Sequence, residues 1–229
     1  RSVSAFLLNR SSDLRFRSYG KSVRDRLLNL SKEEGMPFMT VLVRYLQERL
    51  LYRVSQSQFC DNLFLKGGAL LYAYQQEKSR PTKDIDFLGS HISNDSDAVR
   101  AMFARIASIP CDEDGVHFDS EHIEAVNITE FKEYHGVRLT ILALLDTIRQ
   151  KISIDIGFGD VVIPKPLRLD YPVLLDNVPN VSVYAYSLET VVAEKFEAMI
   201  SLSVDNSRMK DFFDLSRILT SGKLDKELL

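Results

Sequence analysis

Hydrophobic positions in the first part of the chain follow the spacing of α-helices. Residues 23–34 form a short amphipathic segment that Gly35 ends, and Pro37 suits the first turn of a second helix running to about Val54. Apolar residues of this second helix recur at i, i+3 and i+4, namely Phe38, Val41, Leu42, Tyr45, Leu46 and Leu50. The pattern therefore predicts an N-terminal helical pair.

The middle of the chain changes to short apolar runs rich in β-branched residues, which predict strands and hairpins. Helices interrupt these runs at residues 69–76, entered through Gly67-Gly68, and at residues 96–109. The predicted strands are residues 62–66, 84–88, 116–119, 123–129, 137–146 and 151–160. This part is expected to form a mixed sheet.

Towards the C-terminus, residues 164–172 are proline-rich and predict a loop. Ser187 then suits the N-cap of a helix over residues 188–202, and a last helix is predicted over residues 207–219. Helices, a mixed sheet and further helices together indicate an α+β fold. We predict three parts: an N-terminal helical region at residues 1–60, a core sheet at 61–165 and a C-terminal helical region at 166–229.

Composition fits a folded cytoplasmic protein. The chain has 229 residues, of which 45% are hydrophobic, enough for one sizeable core, and its first residue is Arg1, so we expect a trimmed N-terminus. No apolar run approaches the roughly 20 residues of a membrane helix, so no membrane partner is expected. Cys60 and Cys111 are too few and too far apart for a zinc site or a disulfide framework, which suits reduced cytosolic thiols.

Charge is distributed unevenly along the chain. The whole carries −3, but residues 1–54 contain 11 Lys and Arg against 5 Asp and Glu, a net +6. Most such runs are solvated helix faces, whereas the alternative is a basic face for a nucleic-acid backbone. Under the second interpretation Arg44, Arg49 and Arg53 are the candidate RNA-binding residues.

Two aspartates stand in the predicted strand "DIDFL", although aspartate is a poor strand former. Asp84 and Asp86 alternate with Ile85 and Phe87, so both carboxylates point to one face of the strand. Neighbouring carboxylates repel each other, and a bound cation such as Mg²⁺ would stabilise them. The alternative is a half-exposed strand that presents two acids to solvent.

A glycine pair precedes the helix at residues 69–76. A strand, Gly67-Gly68 and a helix leave free backbone N–H groups at a helix N-terminus, where a phosphate is favoured, and Lys66 stands beside them. The alternative is a tight turn that only glycine can adopt. A phosphate site and a metal site within 26 residues would together indicate nucleotide chemistry.

A third acid, Asp155, lies in the predicted strand "ISIDIGF" and faces away from its isoleucine neighbours. If that strand lies beside residues 84–88, three carboxylates converge in the way that two-metal phosphoryl transfer requires. Asp155 would then be a metal ligand or the catalytic base. The alternative is an acid on the solvent face of a hairpin.

A lysine interrupts the apolar stripe of the helix at residues 188–202. Lys195 lies four residues from both Val191 and Met199, so it either extends to solvent or meets an anion. The candidate anions are a nucleotide phosphate and Asp211, which shares a face of the last helix with Asp214.

Four motifs in order, "LKGGALL" with "RPTKDIDF", then "IDIGFGD", "AEKFEAM" and "RMKDFFDL", resemble the AbiEii/AbiGii family of nucleotidyltransferase-like toxins. The likeness covers about residues 20–220 and includes the N-terminal helices. It implies a polymerase-β-like nucleotidyltransferase core with appended helices. It also implies the toxin of a toxin–antitoxin or phage-defence module, with a separately encoded winged-helix antitoxin.

The resemblance further implies an enzyme that uses a nucleoside triphosphate with Mg²⁺ or Mn²⁺ and acts on RNA, with the 3′ end of tRNA as acceptor. It assigns the phosphates to Gly67 and Gly68, the metal to Asp84 and Asp86, and nucleotide contact to Lys195. Asp211 becomes the essential acid of the last motif.

One position departs from many nucleotidyltransferases, which have serine after the glycine where this chain has Ala69. No hydroxyl is therefore offered to a phosphate there. Two other functions stay open from the residues: a nucleotide-binding interaction module without turnover, and a metal-dependent nuclease.

Overall fold

The computed structural model describes residues 19–76, 79–130, 134–159, 162, 165–202 and 209–225. Within these ranges the helices are α1 (residues 19–33), α2 (Phe38–Gln56), α3 (Gly67–Gln75), α4 (Ser96–Ala107), α5 (Leu188–Leu202) and α6 (Met209–Thr220). A short 3₁₀ turn, Asp112–Asp114, follows α4. None of the helices in the described part of the chain has both the length and the apolar character needed to span a membrane.

The strands form one mixed sheet. They are β1 (Leu63–Lys66), β2 (Asp84–Gly89), β3 (Val116–Phe118), β4 (Glu124–Glu130), β5 (Tyr134–Leu145), β6 (Ile148–Phe158), β7 (Leu167–Tyr171) and β8 (Val181–Ala185). The order across the sheet is β3-β5-β6-β2-β1-β8-β7, and β4 also pairs with β5. β2 with β6 and β1 with β8 are parallel pairs, and the remaining pairs are antiparallel.

One face of the sheet is apolar and lies under helices. Alternation along β2 and β6 buries Ile85, Phe87, Ile154 and Ile156 on this face, and Phe103 of α4 packs on Phe87 with ring centroids 6.4 Å apart. Since side chains alternate along a strand, the residues between them point to the opposite face. The acids of β2 and β6 therefore lie on the face away from the core.

The α+β class is confirmed, and so are the predicted helices and strands of the described chain, apart from small shifts at their ends. Ser187 is the N-cap of α5, because its Oγ accepts a hydrogen bond of 3.1 Å from the amide of Thr190. The predicted start of the last helix, at residues 207–208, lies outside the described residues.

The prediction of a loop over residues 164–172 is wrong, because β7 lies within it, and β8 was not predicted. Val181, Val183 and Ala185 of β8 are buried, so a strand of five residues completes the core between β1 and β7. Proline flanks β7, which is the edge strand, where proline is tolerated. The predicted division at residue 165 thus separates two strands from their sheet, and the helical C-terminal part begins only at α5.

The proposal of Arg44, Arg49 and Arg53 as RNA-binding residues is also corrected. Their exposed fractions are 7%, 0% and 2%, so no nucleic acid reaches them on this surface. Arg44 lies over the ring of Tyr72 at 4.5 Å, and Arg49 donates to the carbonyl of Pro179 at 3.0 Å. The basic residues at positions 1–18 lie outside the described chain.

Arg53 makes the most complete buried ion pair of α2. Its Nη1 lies 2.6 Å from Oδ2 of Asp114, and its Nη2 donates to the carbonyl of Val116 at 2.9 Å. Asp114 has no exposed surface and also accepts the Val116 amide at 2.8 Å. These charges fasten α2 to the turn before β3, so they act inside the fold.

Replacing Arg53 with alanine is expected to lower the free energy of unfolding by about 3–5 kcal/mol, because it leaves the buried Asp114 carboxylate unpaired. Urea unfolding measures the loss. Lys151→Ala, which removes an exposed pair with Glu124, is the matched control and should cost less than about 1 kcal/mol. Equal stability of Arg53→Ala and the control would contradict the structural role.

Candidate active site

The outer face of the sheet brings the predicted acids together. Asp84 and Asp86 lie on the same side of β2, and the parallel pairing with β6 makes Asp155 the direct neighbour of Asp86. The condition set in the sequence analysis, that the two strands lie side by side, is thereby met. Three carboxylates thus occupy neighbouring positions on two central strands.

The electrostatics of this face centre on Asp86. Burial, together with the neighbouring charge of Asp155, raises the pKa of Asp86 to about 7. Lys66, its partner on β1, opposes this shift, whereas Asp84 and Glu194 add to it. Since burial and like charges disfavour the ionised form, the site favours a cation or a proton at Asp86.

The glycine pair forms the turn into α3 and touches the acid face. Gly67 has φ +66°, and a Cβ placed on it would lie 1.9 Å from Oδ2 of Asp86. A Cβ on Gly68 would lie 2.9 Å from the Cβ of Thr82. Both glycines are therefore required by close packing, which satisfies the tight-turn interpretation. The same packing places the N-terminus of α3 against the Asp86 carboxylate.

Lys66 occupies the N-cap position of α3 and points towards the same face. Its Nζ pairs with Oε1 of Glu194 on α5 and lies 5.7 Å from the centre of the Tyr186 ring. This contact links the acid face to the C-terminal helices. A cation consequently stands beside Asp86, where a phosphate would need one.

Asp155 is held by an arginine that the sequence did not single out. Arg138 of β5 donates from Nε to Oδ1 at 2.7 Å and from Nη2 to Oδ2 at 2.6 Å. Both carboxylate oxygens of Asp155 are thus engaged. Throughout the described ranges no set of three His, Cys, Asp or Glu side chains is arranged to hold a metal ion.

Two carboxylates nevertheless fit a nucleotide-bound magnesium ion. Mg²⁺ is commonly held through one or two carboxylates together with substrate phosphates and water. Asp84 and Asp86 offer that donor set, and a cation bound here would offset the burial and the neighbouring negative charges that raise the pKa of Asp86. The residues present are therefore compatible with Mg²⁺ or Mn²⁺ in the company of a triphosphate.

Lys195 and Asp211 lie together and form an ion pair with each other. Lys195 Nζ lies 2.7 Å from Oδ1 of Asp211 and 2.9 Å from Oδ2 of Asp214. Arg80 completes the cluster with two contacts of 3.2 Å to Asp214, whose side chain is 3% exposed. Of the two anions that the sequence suggests as partners of Lys195, the structure places Asp211 beside it. This cluster joins α5 and α6 to the segment that leads into β2.

Sequence reasoning missed Arg138, Glu194 and Arg80 as members of this region. Arg138 was within a predicted strand, but its partner depends on the register between β5 and β6, which no local pattern gives. Glu194 immediately precedes Lys195, and Arg80 stands in the quoted motif "RPTKDIDF". Their positions inside motifs were the signal that could have identified them.

The chain belongs to a family of nucleotidyltransferases. It matches the family described as "Nucleotidyl transferase AbiEii toxin, Type IV TA system" over residues 49–229, which confirms the resemblance and the enzyme class. The match starts within α2, so the likeness of the preceding helices stays an expectation. A search of curated proteins found no significant match.

Three solved structures resemble the chain weakly. A protein of H. pylori described as a candidate nucleotidyltransferase has 12% identity and a TM-score of 0.46, covering 78% of this chain and 67% of that one. An antigenic nucleotidyltransferase-like protein of Paracoccidioides brasiliensis has 13% identity and a TM-score of 0.46, covering 77% of this chain and 75% of that one. The antibiotic-resistance factor ANT(2'')-Ia has 13% identity and 0.44, with coverages of 80% and 84%. Because these scores lie below 0.5, the assignment rests on the family match.

Asp86→Asn is expected to stabilise the fold at alkaline pH. A carboxyl with a raised folded-state pKa binds its proton more tightly when folded, so its ionisation between about pH 4 and pH 7 opposes folding. The variant should exceed the wild type at pH 8 by on the order of 1–3 kcal/mol, and the gap should close towards pH 4. Urea unfolding across this range measures it, with the exposed strand acid Asp170→Asn as control. A less stable Asp86→Asn protein at pH 8 would contradict a raised pKa for the buried Asp86 carboxyl.

Lys195→Met is expected to lower the free energy of unfolding by about 2–4 kcal/mol, because Asp211 and Asp214 lose a shared cation in a poorly hydrated place. Thermal or urea unfolding measures the change. Lys210→Met, at an exposed position of α6, is the control and should be near neutral. Unchanged stability in Lys195→Met would show that the cluster does not hold the helices together.

Proposed function

We propose that the chain transfers a nucleotide from a nucleoside triphosphate to the 3′ end of an RNA acceptor, with tRNA as the acceptor. The observation that carries the proposal is the contact of the Asp86 carboxylate with the Gly67 turn, beside Asp84 and Asp155. An acid face and the N-terminus of α3 then adjoin each other. This is the arrangement that a metal-bound triphosphate needs.

Asp84 and Asp86 would hold Mg²⁺ or Mn²⁺. When bound, the ion neutralises charge on the triphosphate and on the departing pyrophosphate. Asp155 would serve as a further ligand or as the base that takes the proton from the acceptor hydroxyl. The raised pKa of Asp86 supports the need for a cation here.

The backbone amides at Gly67 and Gly68, with the ammonium of Lys66, would bind the phosphates. Because Ala69 brings no hydroxyl, the amides would act in this role without help from a side-chain oxygen at that position. Lys195 would contact the nucleotide, and Asp211 would be the essential acid of the last motif. Their ion pair supports the view that Asp211 acts by orienting Lys195.

The matched family is described as a toxin of a type IV toxin–antitoxin system. The chain would act as a toxin in the cytoplasm, where nucleoside triphosphates and tRNA are available. Its antitoxin would be a separately encoded winged-helix protein. Because Arg44, Arg49 and Arg53 are buried, the acceptor RNA must bind through other residues.

A second candidate is a nucleotide-binding module without turnover. The bidentate contact of Arg138 with Asp155 favours it, since it removes the third carboxylate from any metal. Such a module would bind a triphosphate with Mg²⁺ and release it unchanged.

Incubation with labelled nucleoside triphosphates, Mg²⁺ and total tRNA tests the proposal directly. We expect label on the tRNA 3′ end with the wild type, at least about a hundredfold less with Asp86→Asn because a ligand of the metal is lost, and full activity with Lys151→Ala. Nucleotide binding without transfer would support the module. Shortened RNA in the absence of triphosphate would indicate a nuclease, and both results would overturn the transferase.

A further inference from the structure

Arg138 and Asp155 form a cross-strand pair next to the proposed metal site. They are direct neighbours on β5 and β6, and the guanidinium contacts both oxygens of the carboxylate at 2.7 and 2.6 Å. Asp155 is in turn the direct neighbour of Asp86 on β2. The arginine therefore borders the acid face on the side opposite Lys66.

The two members of the pair differ in exposure. The side chain of Asp155 is 15% exposed, whereas that of Arg138 is 46% exposed. An arginine with this much solvent access can change partner by rotating its side chain, without moving the strand. The planar fork that binds a carboxylate through two bonds fits a phosphate equally well.

We propose that Arg138 is a positioning residue that holds Asp155 away from metal in the nucleotide-free protein and moves to the polyphosphate of the nucleoside triphosphate when it binds. This inference rests on the proposed function. Exchange of partners would release Asp155 to the metal at the moment the phosphates arrive. Metal and triphosphate would then bind cooperatively, each weakly without the other.

The same sheet face offers a matched control. Lys151 lies on β6 four residues before Asp155, and its Nζ pairs with Oε1 of Glu124 across the sheet at 3.2 Å. Both side chains are more than half exposed. Lys151→Ala thus removes one cation from a cross-strand pair on this face without touching the acids of the site.

The experiment measures two affinities in the intact protein. Mn²⁺ binding without nucleotide is followed by electron paramagnetic resonance, and binding of a non-hydrolysable triphosphate with Mg²⁺ is followed by calorimetry. We expect Arg138→Ala to bind Mn²⁺ alone about tenfold more tightly. It should bind the triphosphate about tenfold more weakly, because one charged bidentate contact is lost. Lys151→Ala should change neither value.

A double variant tests whether the tighter binding depends on the Asp155 carboxylate. If Asp155 becomes a ligand in Arg138→Ala, adding Asp155→Asn should abolish the tighter Mn²⁺ binding. A gain that persists in the double variant, or unchanged affinities in Arg138→Ala, would overturn the inference. Should Arg138→Ala fail to fold, Arg138→Lys, which loses the fork but keeps the charge, should show the same weakening for the triphosphate, and wild-type affinity would overturn the inference.

Asp86→Asn distinguishes this inference from the proposed function beneath it. Loss of Mn²⁺ binding in Asp86→Asn, with no effect of Arg138→Ala, would leave the metal site standing and remove only Arg138 from it. Wild-type Mn²⁺ binding in Asp86→Asn would contradict the proposed function itself.

Discussion

The parallel pairing of β2 with β6 places the carboxylates of Asp86 and Asp155 side by side, where they repel each other. The rest of the site is arranged around this repulsion. A protein that only had to fold would gain by replacing such carboxylates, because burial and like charge both disfavour their ionised forms. The cations near Asp86 compensate the negative charge only in part. Lys66 is shared with Glu194, and Arg138 is committed to Asp155. The remaining negative charge is what a bound metal ion would neutralise.

Charge serves a different purpose elsewhere in the molecule. The arginines of α2 are buried, and two of them, Arg49 and Arg53, form ion pairs with acidic residues. The cluster of Lys195, Asp211, Asp214 and Arg80 holds α5 and α6 to the chain that enters β2. Since Lys66 also contacts α5, the C-terminal helices meet the sheet next to the acid face. Their attachment therefore bears on the geometry of the site as well as on stability.

The sequence allowed the prediction of most elements because their periodicity is strong. The alternation in "DIDFL" and "ISIDIGF" identified the acids and their common face, since a strand repeats every two residues. β7 and β8 were not predicted, because strands of only five residues carry little periodic signal and prolines flank β7. The role of Arg138 was not predicted for another reason. Its contact with Asp155 arises from the register of two strands, which depends on the whole sheet.

The arginines of α2 show how charge misleads when burial is unknown. A net +6 over residues 1–54 is typical both of a nucleic-acid surface and of a fold that pairs its cations internally. The partners of these arginines are Asp114, Glu48 and the carbonyls of Arg49, Val116 and Pro179, most of them distant in sequence. Only the tertiary structure distinguishes the two cases.

Crystals grown with Mn²⁺ and a non-hydrolysable nucleoside triphosphate would test the central claim most directly, through the anomalous scattering of manganese. We expect a peak within bonding distance of carboxylate oxygens from both Asp84 and Asp86, with the phosphates against the Gly67 turn. A nucleotide bound elsewhere, or manganese remote from these two carboxylates, would contradict it.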